Sequence, residues 1–262
     1  GIADGNNLIF DHVSVSWGRD ETFSVSGTAI SNITIQNSVI SQGLLSHSAG
    51  GLIQTDGGVT LYRNLYVDND TRNNKIKGVN QYVNNMVYNW SSGAYLMGGD
   101  SEGQSYANCV SNYFVNGPEN SVNALSGANA NFHIYAADNW WDRNRNGIFD
   151  GYLVPQSEYS GGPDFQTTPY AYPALPTWPA QSLVDSLLQG VGASLPYRDL
   201  IDYYVIDQLK SFGKKGEIIT NETENPVGTP SQWTMWAGTK RTDTDNDGMP
   251  DAWETANGLN PS

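Results

Sequence analysis

The stretch Asn32-Ile-Thr-Ile-Gln-Asn37-Ser-Val-Ile decides the fold, because altered copies of it recur along the chain. Each copy combines a short alternating apolar run, a polar corner that contains asparagine, and a second short apolar run. Three of the four intervals between the recurring asparagines are 27 residues long, and the interval from Asn64 to Asn85 is 21. These reference asparagines are Asn37, Asn64, Asn85, Asn112 and Asn139.

A repeat of this length predicts a solenoid. Alternation within each copy places inward side chains in columns that run through neighbouring turns. Asparagine at a recurring corner suits left-handed backbone geometry, and stacked amides can hydrogen-bond between turns. A β-sandwich has similar strand spacing but gives no reason for the asparagines. We therefore predict an all-β fold: a right-handed parallel β-helix with a short helical C-terminal cover and an acidic calcium-loop tail.

Three regions follow from the extent of the repeat. The β-helix is predicted over residues 1–165, and the strand-like start at Gly1 leads us to expect further N-terminal turns ahead of it. Residues 166–213 form an extended strap and two short amphipathic helices, which we expect to pack on the β-helix. Residues 214–262 are predicted to be a linker and an EF-hand-like or thrombospondin-type-3-like calcium loop.

Composition narrows the choice of partners. The formal charge is −14 and only 15% of the residues are charged, so we expect no nucleic-acid partner and no membrane partner. The single cysteine, Cys109, excludes an internal disulfide. We expect a secreted, extracellular monomer, and Asn-x-Ser/Thr triplets support a secreted glycoprotein. These triplets begin at Asn32, Asn69, Asn89 and Asn221.

The acidic segment near the C-terminus has the spacing of a calcium loop. Oxygen-bearing side chains occupy loop positions 1, 3, 5, 9 and 12, and Gly248 occupies position 6. Ca²⁺ requires six to eight oxygen ligands, and a short loop supplies them only at such intervals. An acidic, solvated tail is the alternative. The predicted ligands are Asp243, Asp245, Asp247, Asp251 and Glu254.

A weaker version of this pattern lies further upstream. Its position 12 is Leu153, where a calcium loop carries a bidentate acid. An asparagine-rich turn between coils therefore competes with a second calcium site. The candidate ligands are Asp142, Asn144, Asn146, Ile148 and Asp150.

Three of the 13 basic residues, Arg72, Lys75 and Lys77, lie within six positions of each other. In an extended strand Lys75 and Lys77 point to the same face. A solvated basic turn and a binding site for an anionic ligand both explain such a cluster. An acidic pair, Asp20 and Glu21, follows another strand-like copy of the repeat.

Three motifs together resemble the polysaccharide lyase family 1 pectate lyases, and the similarity is greatest to their fungal C type. The resemblance runs through essentially the whole chain. It rests on Asp11-His-Val-Ser-Val-Ser-Trp-Gly-Arg-Asp20-Glu21, Thr71-Arg-Asn-Asn-Lys75-Ile-Lys77-Gly78 and Asn84-Asn-Met-Val-Tyr-Asn-Trp90.

The resemblance implies a Ca²⁺ cofactor and an acidic plant cell-wall polysaccharide, polygalacturonate or pectate, as the substrate. It implies that Arg72 is the catalytic base of a β-elimination and that Lys75 and Lys77 bind substrate carboxylates. Asp20 would be a metal ligand, with Glu21 as a substitute for the second acid of the family, whose position here is Ser24.

Two further positions complete this comparison. The family proline after the catalytic arginine corresponds to Asn74. His47 either lines the substrate groove or is a structural histidine. Because guanidinium is normally protonated, an arginine base predicts an alkaline pH optimum.

Other functions remain possible on the same fold. A hydrolase requires paired carboxylates, and no adjacent aspartates lie near a strand-end histidine. A non-catalytic β-helix that binds pectin, or that serves as a structural wall protein, is the alternative from another class. A calcium-independent pectin lyase is disfavoured, because methyl esters carry no charge for the lysines to bind.

Overall fold

The computed structural model describes residues 1–98, 103–229, 232 and 239–262, so linker residues 230–231 and 233–238 lie outside the described residues. The chain forms two compact units, Gly1–Val227 and Gly228–Ser262. Every described strand belongs to the first unit. The strands are β1 Gly5–Asp11, β2 Ser14–Ser16, β3 Val25–Ser26, β4 Ile30–Gln36, β5 Val39–Ser41, β6 Ala49–Tyr62, β7 Leu65–Val67, β8 Thr71–Val83, β9 Met86–Tyr88, β10 Tyr95–Met97, β11 Ser105–Val110, β12 Tyr113–Val115, β13 Leu125–Ser126, β14 Phe132–Ala137, β15 Trp140–Asp142, β16 Tyr152–Leu153 and β17 Asp164–Phe165.

The strands form two sheets, and the chain passes back and forth between them. The ten-stranded sheet follows the order β1-β4-β6-β8-β11-β14-β17, with β3, β10 and β13 attached to it. The seven-stranded sheet follows the order β16-β15-β12-β9-β7-β5-β2. Among the described strands, only β15 and β16 pair in antiparallel fashion. The result is a solenoid of about five turns, and the predicted parallel β-helix is confirmed.

The core consists of inward side chains stacked in columns. One column joins Phe10, Ile35, Leu61, Tyr82 and Cys109 on successive strands. The last four of these residues are at most 1% exposed. Removing an aliphatic side chain of this size from water contributes about 1.5–3 kcal/mol. The column therefore stabilises the stacking of whole turns and gives the alternation in each repeat its physical cause.

A second column consists of buried asparagines. Asn64, Asn85, Asn112 and Asn139 are at most 2% exposed. The Oδ1 atom of Asn112 accepts a hydrogen bond from the backbone N–H of Asn85 at 2.8 Å, and Asn139 Oδ1 accepts from Asn112 N–H at 3.1 Å. Side-chain amides also donate from turn to turn, as from Asn112 Nδ2 to Asn139 Oδ1 at 2.9 Å. The predicted hydrogen bonding between stacked amides is confirmed.

At the ladder asparagines the left-handed corner lies one residue earlier than we predicted, whereas at Asn37 it lies where we predicted it. Arg63 (φ 57°), Asn84 (φ 54°) and Ser111 (φ 55°) immediately precede ladder asparagines and adopt the left-handed conformation. The ladder asparagines serve hydrogen bonding instead. In the turn before Asn64, the ladder position is Ser38, whose backbone N–H donates to Asn64 Oδ1 at 3.1 Å, and Asn37 is a left-handed corner residue.

The segment after the repeat lies along the β-helix. Tyr172 donates its hydroxyl to the carbonyl of Tyr106 at 2.8 Å, and Arg63 lies 3.4 Å above the ring of Trp178. The helices of this segment are α1 Leu183–Leu187 and α2 Leu200–Lys210, and Glu222–Glu224 forms a short 3₁₀ turn.

Residues 214–227, which the sequence assigns to the linker, contact the β-helix. Ile219 accepts a backbone hydrogen bond from Leu45 at 3.0 Å. Asn225 donates its side-chain amide to Gln42 Oε1 at 2.7 Å. In the described part of the chain, no helix has the length and apolar character needed to cross a membrane.

Replacing Asn112 by alanine should lower the free energy of unfolding by about 2–4 kcal/mol, because buried donors and acceptors on two neighbouring turns lose their partners. Urea denaturation measures this. The control is Asn6→Ala, at an exposed asparagine, which should change stability by less than about 0.5 kcal/mol. Equal losses in the two variants would contradict a structural role for the ladder.

Candidate functional site

The candidate active site begins where three turns bring their strand starts together. Glu21 forms a parallel bridge with Ala49, and Ala49 pairs in turn with Thr71 at the start of β8. Arg72 follows Thr71, and its Nη1 contacts Oε1 of Glu21. The two side chains are 25% and 14% exposed, so solvent only partly screens the pair. The sequence proposed both residues for the site but did not predict their contact.

Ser24 supports Glu21. Its hydroxyl donates to Glu21 Oε2 at 2.6 Å and accepts from the backbone N–H of Leu52 at 2.9 Å. Both oxygens of Glu21 therefore have defined partners, Arg72 on one side and Ser24 on the other. Ser24, which lies where the resemblance expects an acid, thus orients the carboxylate of Glu21.

Asp20, Glu21 and His47 form a cluster that could hold a cation. Each offers one ligand atom, and these atoms lie within 4.8 Å of one another. His47 Nδ1 lies 2.7 Å from Asp20 Oδ1. Ca²⁺ prefers oxygen, so the carboxylates suit it, whereas the imidazole does not. The sequence left His47 as either a groove residue or a structural histidine, and in the structure its imidazole contacts Asp20.

Lys75 and Lys77 lie further along β8, on either side of Ile76. Ile76 is fully buried in the core, and both lysines are partly exposed on the outer face of the sheet. Lys75 pairs in register with Leu52, and Lys77 with Gln54. The shared face expected from strand alternation is confirmed.

A cavity of about 670 Å³ lies beside Lys77. Polar side chains of Ser31, Gln54, Asp56 and Gln104 contribute to its lining. It leaves room beside the lysine for part of a polar chain.

The turn that leads to Arg72 is held by asparagines that the sequence analysis did not assign to the active site. Asn69 donates Nδ2 to Asn73 Oδ1 at 2.9 Å, and Asn73 donates Nδ2 to the carbonyl of Gly93 at 3.3 Å. Both asparagines are at most 1% exposed. Asn73 directly follows Arg72, so these bonds position the backbone of the candidate base. In the sequence, only their closeness to Arg72 indicated that Asn69 and Asn73 support the site.

In the upstream loop, residues 142–153, the carboxylate oxygens accept hydrogen bonds from groups of the same loop. Asn144 and Asn146 donate their side-chain amides to the two oxygens of Asp150 at 2.8 and 2.9 Å, and these hydrogen bonds lower the pKa of Asp150. Burial raises the pKa of Asp142. Position 12 is the exposed Leu153, and the side chain of Asn146 also accepts the backbone N–H of Ile148 at 2.7 Å. These contacts describe an asparagine-rich turn, and calcium binding here stays a prediction.

The loop in the second unit is different. Asp243, Asp245 and Asp247 present oxygens within 4.8 Å of one another. Asp251 begins helix α3, Asp251–Ala256, and accepts from Thr244 N–H at 2.8 Å.

Two buried oxygens of this loop, Glu254 Oε2 and Asp243 Oδ1, have no hydrogen-bond partner among the described residues. Burial raises the pKa of Glu254, and the nearby aspartates raise it further. Unpartnered buried carboxylate oxygens are costly, and a hard cation would satisfy them. The loop therefore fits Ca²⁺.

Curated proteins similar to this chain are named probable pectate lyase C. The one from Neosartorya fischeri is 51% identical, that from Aspergillus terreus 49% and that from Emericella nidulans 50%. Each alignment covers 100% of this chain and 60–61% of the relative, so the chain spans about three fifths of the relatives' length. The resemblance predicted from the motifs is thereby confirmed.

The structural comparison supports the fold. A thermostable pectate lyase, PL 47, superposes with a TM-score of 0.52 over 73% of this chain and 53% of its own, at 15% identity. At this identity the likeness concerns the fold alone. No protein-family model matches the chain.

The loop of the second unit gives a direct prediction. Glu254→Gln should weaken Ca²⁺ binding by about tenfold or more, which corresponds to about 1.4 kcal/mol, because it removes a charged ligand. Isothermal titration calorimetry of the whole chain measures this. Thr255→Ala, at the exposed neighbouring position, should leave the affinity unchanged. Equal affinity in the parent and Glu254→Gln would show that Glu254 is not a ligand.

Proposed function

We propose that this chain is a secreted, calcium-dependent pectate lyase that cleaves (1→4)-α-D-galacturonan by β-elimination and leaves 4,5-unsaturated ends. The observation that carries the proposal is the meeting of Arg72 with Glu21 at the Asp20–Glu21–His47 cluster, with Lys75 and Lys77 further along the strand of Arg72. These residues meet in a chain that is about half identical to proteins named probable pectate lyase C.

The reaction needs a base, an acidified proton and a stabilised carboxylate. The C5 proton of a galacturonate lies next to the uronate carboxyl, so its removal places negative charge on that group. Arg72 takes this proton, the electron pair forms the C4–C5 double bond, and the O4 substituent leaves with the bonding electrons of C4–O4. The position of Arg72 at the start of β8 gives it a fixed backbone from which to reach the substrate.

The lysines explain how an acidic protein binds a polyanion. A chain with a formal charge of −14 repels a polyuronate at long range. Lys75 and Lys77 place two positive charges on one face of the same strand. Charge-assisted hydrogen bonds from ammonium groups to carboxylates are stronger than neutral ones. We therefore assign these lysines to substrate carboxylates.

The Arg72–Glu21 pair sets a condition on the chemistry. The carboxylate of Glu21 contacts Arg72, and a protonated guanidinium cannot accept a proton. A calcium ion bound by Asp20 and Glu21 would offset this carboxylate charge and stabilise the charge that develops on the uronate. Ser24 holds Glu21 in place for that role. A guanidinium group loses its proton only at high pH, so an arginine base supports an alkaline optimum.

A secreted location suits this substrate. Pectate is a wall polymer outside the cell, and the chain combines one buried cysteine with four Asn-x-Ser/Thr triplets. A folded domain of this kind needs no disulfide, because its core and its asparagine ladder run continuously from turn to turn.

A second candidate function has one observation in its favour. Because Glu21 neutralises Arg72, the same surface could bind pectate through Lys75 and Lys77 without chemistry. Polygalacturonate binding without any turnover would identify this non-catalytic β-helix.

Arg72→Ala should lower kcat on polygalacturonate by about 100-fold or more, because a positioned base contributes about 10²–10⁴-fold. The assay follows ultraviolet absorbance of the unsaturated product at alkaline pH, with calcium and then with chelator. Lys210→Ala, at an exposed lysine on α2, is the matched control and should keep full activity.

Three outcomes would contradict this assignment. Retained activity in Arg72→Ala would show that Arg72 is not the catalytic base. A rate that peaks below neutral pH would also conflict with an arginine base. New reducing ends without ultraviolet absorbance would indicate hydrolysis.

Lys75→Ala and Lys77→Ala should each lower kcat/KM on polygalacturonate by about 10–100-fold, which is the worth of a hydrogen bond to a charged group. The loss should be smaller on highly methyl-esterified pectin, whose esters carry no charge. Steady-state kinetics on both substrates tests this. Equal losses on polygalacturonate and on methyl-esterified pectin would show that the lysines do not bind the substrate carboxylates.

A further inference from the structure

The four Asn-x-Ser/Thr triplets are not equivalent in the folded chain. An N-linked glycan forms when Nδ2 of asparagine attacks the anomeric carbon of a polyprenyl-diphosphate-linked oligosaccharide. The C1–O bond to the diphosphate breaks, the diphosphate leaves with its electron pair, and Nδ2 loses one proton. A folded glycoprotein must therefore leave one hydrogen of Nδ2 unused and must have open space beside that nitrogen.

We propose that Asn32 and Asn221 are N-glycosylation sites of this protein and that Asn69 and Asn89 cannot carry a glycan in the folded state. The assignment concerns modification and goes beyond the lyase activity proposed above.

Asn69 uses both hydrogens of its amide inside the protein. Nδ2 donates to the carbonyl of Ile40 at 3.0 Å and to Asn73 Oδ1 at 2.9 Å. Its Oδ1 accepts from the backbone N–H of Gly43 at 2.9 Å, and the residue is fully buried. Replacing one hydrogen by a sugar would break a buried hydrogen bond and displace the turn that leads to Arg72.

Asn89 has no space for a substituent. The residue is fully buried, and Nδ2 donates to Asp68 Oδ1 at 2.6 Å. A single carbon added at Gly216 would approach this Nδ2 to 2.6 Å, and one added at Gly117 would lie 2.3 Å from Asn89 Oδ1. Both distances are well inside van der Waals contact. A sugar ring is far larger than one carbon.

Asn221 meets both requirements. It is partly exposed, and its side-chain hydrogen bonds use Oδ1, which accepts from the backbone N–H and the hydroxyl of Thr223 at 3.0 and 2.8 Å. Among the described residues, no group accepts a hydrogen bond from its Nδ2. The hydrogen bonds between Asn221 and Thr223 form a local Asx turn.

The chain on either side of Asn221 is anchored, while the triplet stays at the surface. Ile219 and Asn225 are at most 3% exposed, whereas Thr223 is exposed. Glu222 contacts Arg19 at 3.1 Å, so this segment lies along the turn that carries Asp20. A glycan here would extend from a fixed point near the candidate site without disturbing the core.

Asn32 also has room. It is exposed on β4, and its Nδ2 donates one hydrogen bond, to Asn7 Oδ1 at 2.6 Å. The second hydrogen stays available. Its triplet continues with the buried Ile33 and the partly exposed Thr34, so the strand holds Asn32 outward.

The test is to secrete the chain from a yeast host and isolate the folded fraction, from medium and secretory compartments alike, by its resistance to protease. Peptide N-glycosidase in ¹⁸O water converts each glycosylated asparagine into labelled aspartate, which peptide mass spectrometry locates. We expect label at Asn32 and Asn221 and none at Asn69 or Asn89. Label at either buried asparagine in the folded fraction, or its absence from either exposed one, would overturn the assignment.

Matched variants separate recognition of the triplet from damage to the fold. Thr223→Ala should remove the label at Asn221 alone, and Thr223→Ser should restore it. Label that persists at Asn221 in Thr223→Ala would overturn enzymatic N-glycosylation there. Because the readout is a mass label and not catalysis, an inactive chain with the expected pattern would leave this inference intact and count only against the lyase.

Discussion

The hydrogen bonds between buried asparagines of successive turns are the constraint on which the rest of the structure depends. Each ladder amide accepts from the turn before it and donates to the turn after it, as Asn112 does between Asn85 and Asn139. A buried amide without such partners costs about 1–3 kcal/mol. Every turn is therefore fixed in register with its neighbours, and residues far apart in sequence acquire set positions on the outer surface.

The candidate site depends on that register. Glu21 and Arg72 are 51 residues apart, yet two steps of parallel pairing through Ala49 bring them into contact. The lysines of β8 face outward because Ile76 between them fills the core. The same stacking that buries apolar side chains thus assembles charges on the opposite face. This arrangement lets an acidic chain present a local cluster of cations.

Much of this could be predicted from sequence, for identifiable reasons. The asparagine period gave the β-helix, and strand alternation gave the common face of Lys75 and Lys77. The left-handed corner was assigned correctly at Asn37 but one residue too late at the ladder asparagines, because asparagine suits both a corner and a ladder and periodicity alone does not separate the two roles. The contact between Ser24 and Glu21 could not be predicted for another reason. The resemblance expects an acid at position 24, so a serine there indicates a lost metal ligand. The structure shows instead that the serine hydroxyl donates to Glu21.

The two calcium-like loops show where motif spacing stops being informative. Both have polar residues at positions 1, 3, 5 and 9 with glycine at 6. At positions 3 and 5 the upstream loop has Asn144 and Asn146, whose side-chain amides donate hydrogen bonds to both oxygens of Asp150. The loop of the second unit has aspartates there, which only accept, and buried oxygens of Asp243 and Glu254 lack partners. An amide can replace a cation as a partner for a carboxylate, whereas a second carboxylate increases the need for one. The choice between Asn and Asp therefore distinguishes a loop whose carboxylate already accepts amide hydrogen bonds from a loop whose carboxylates still need a cation.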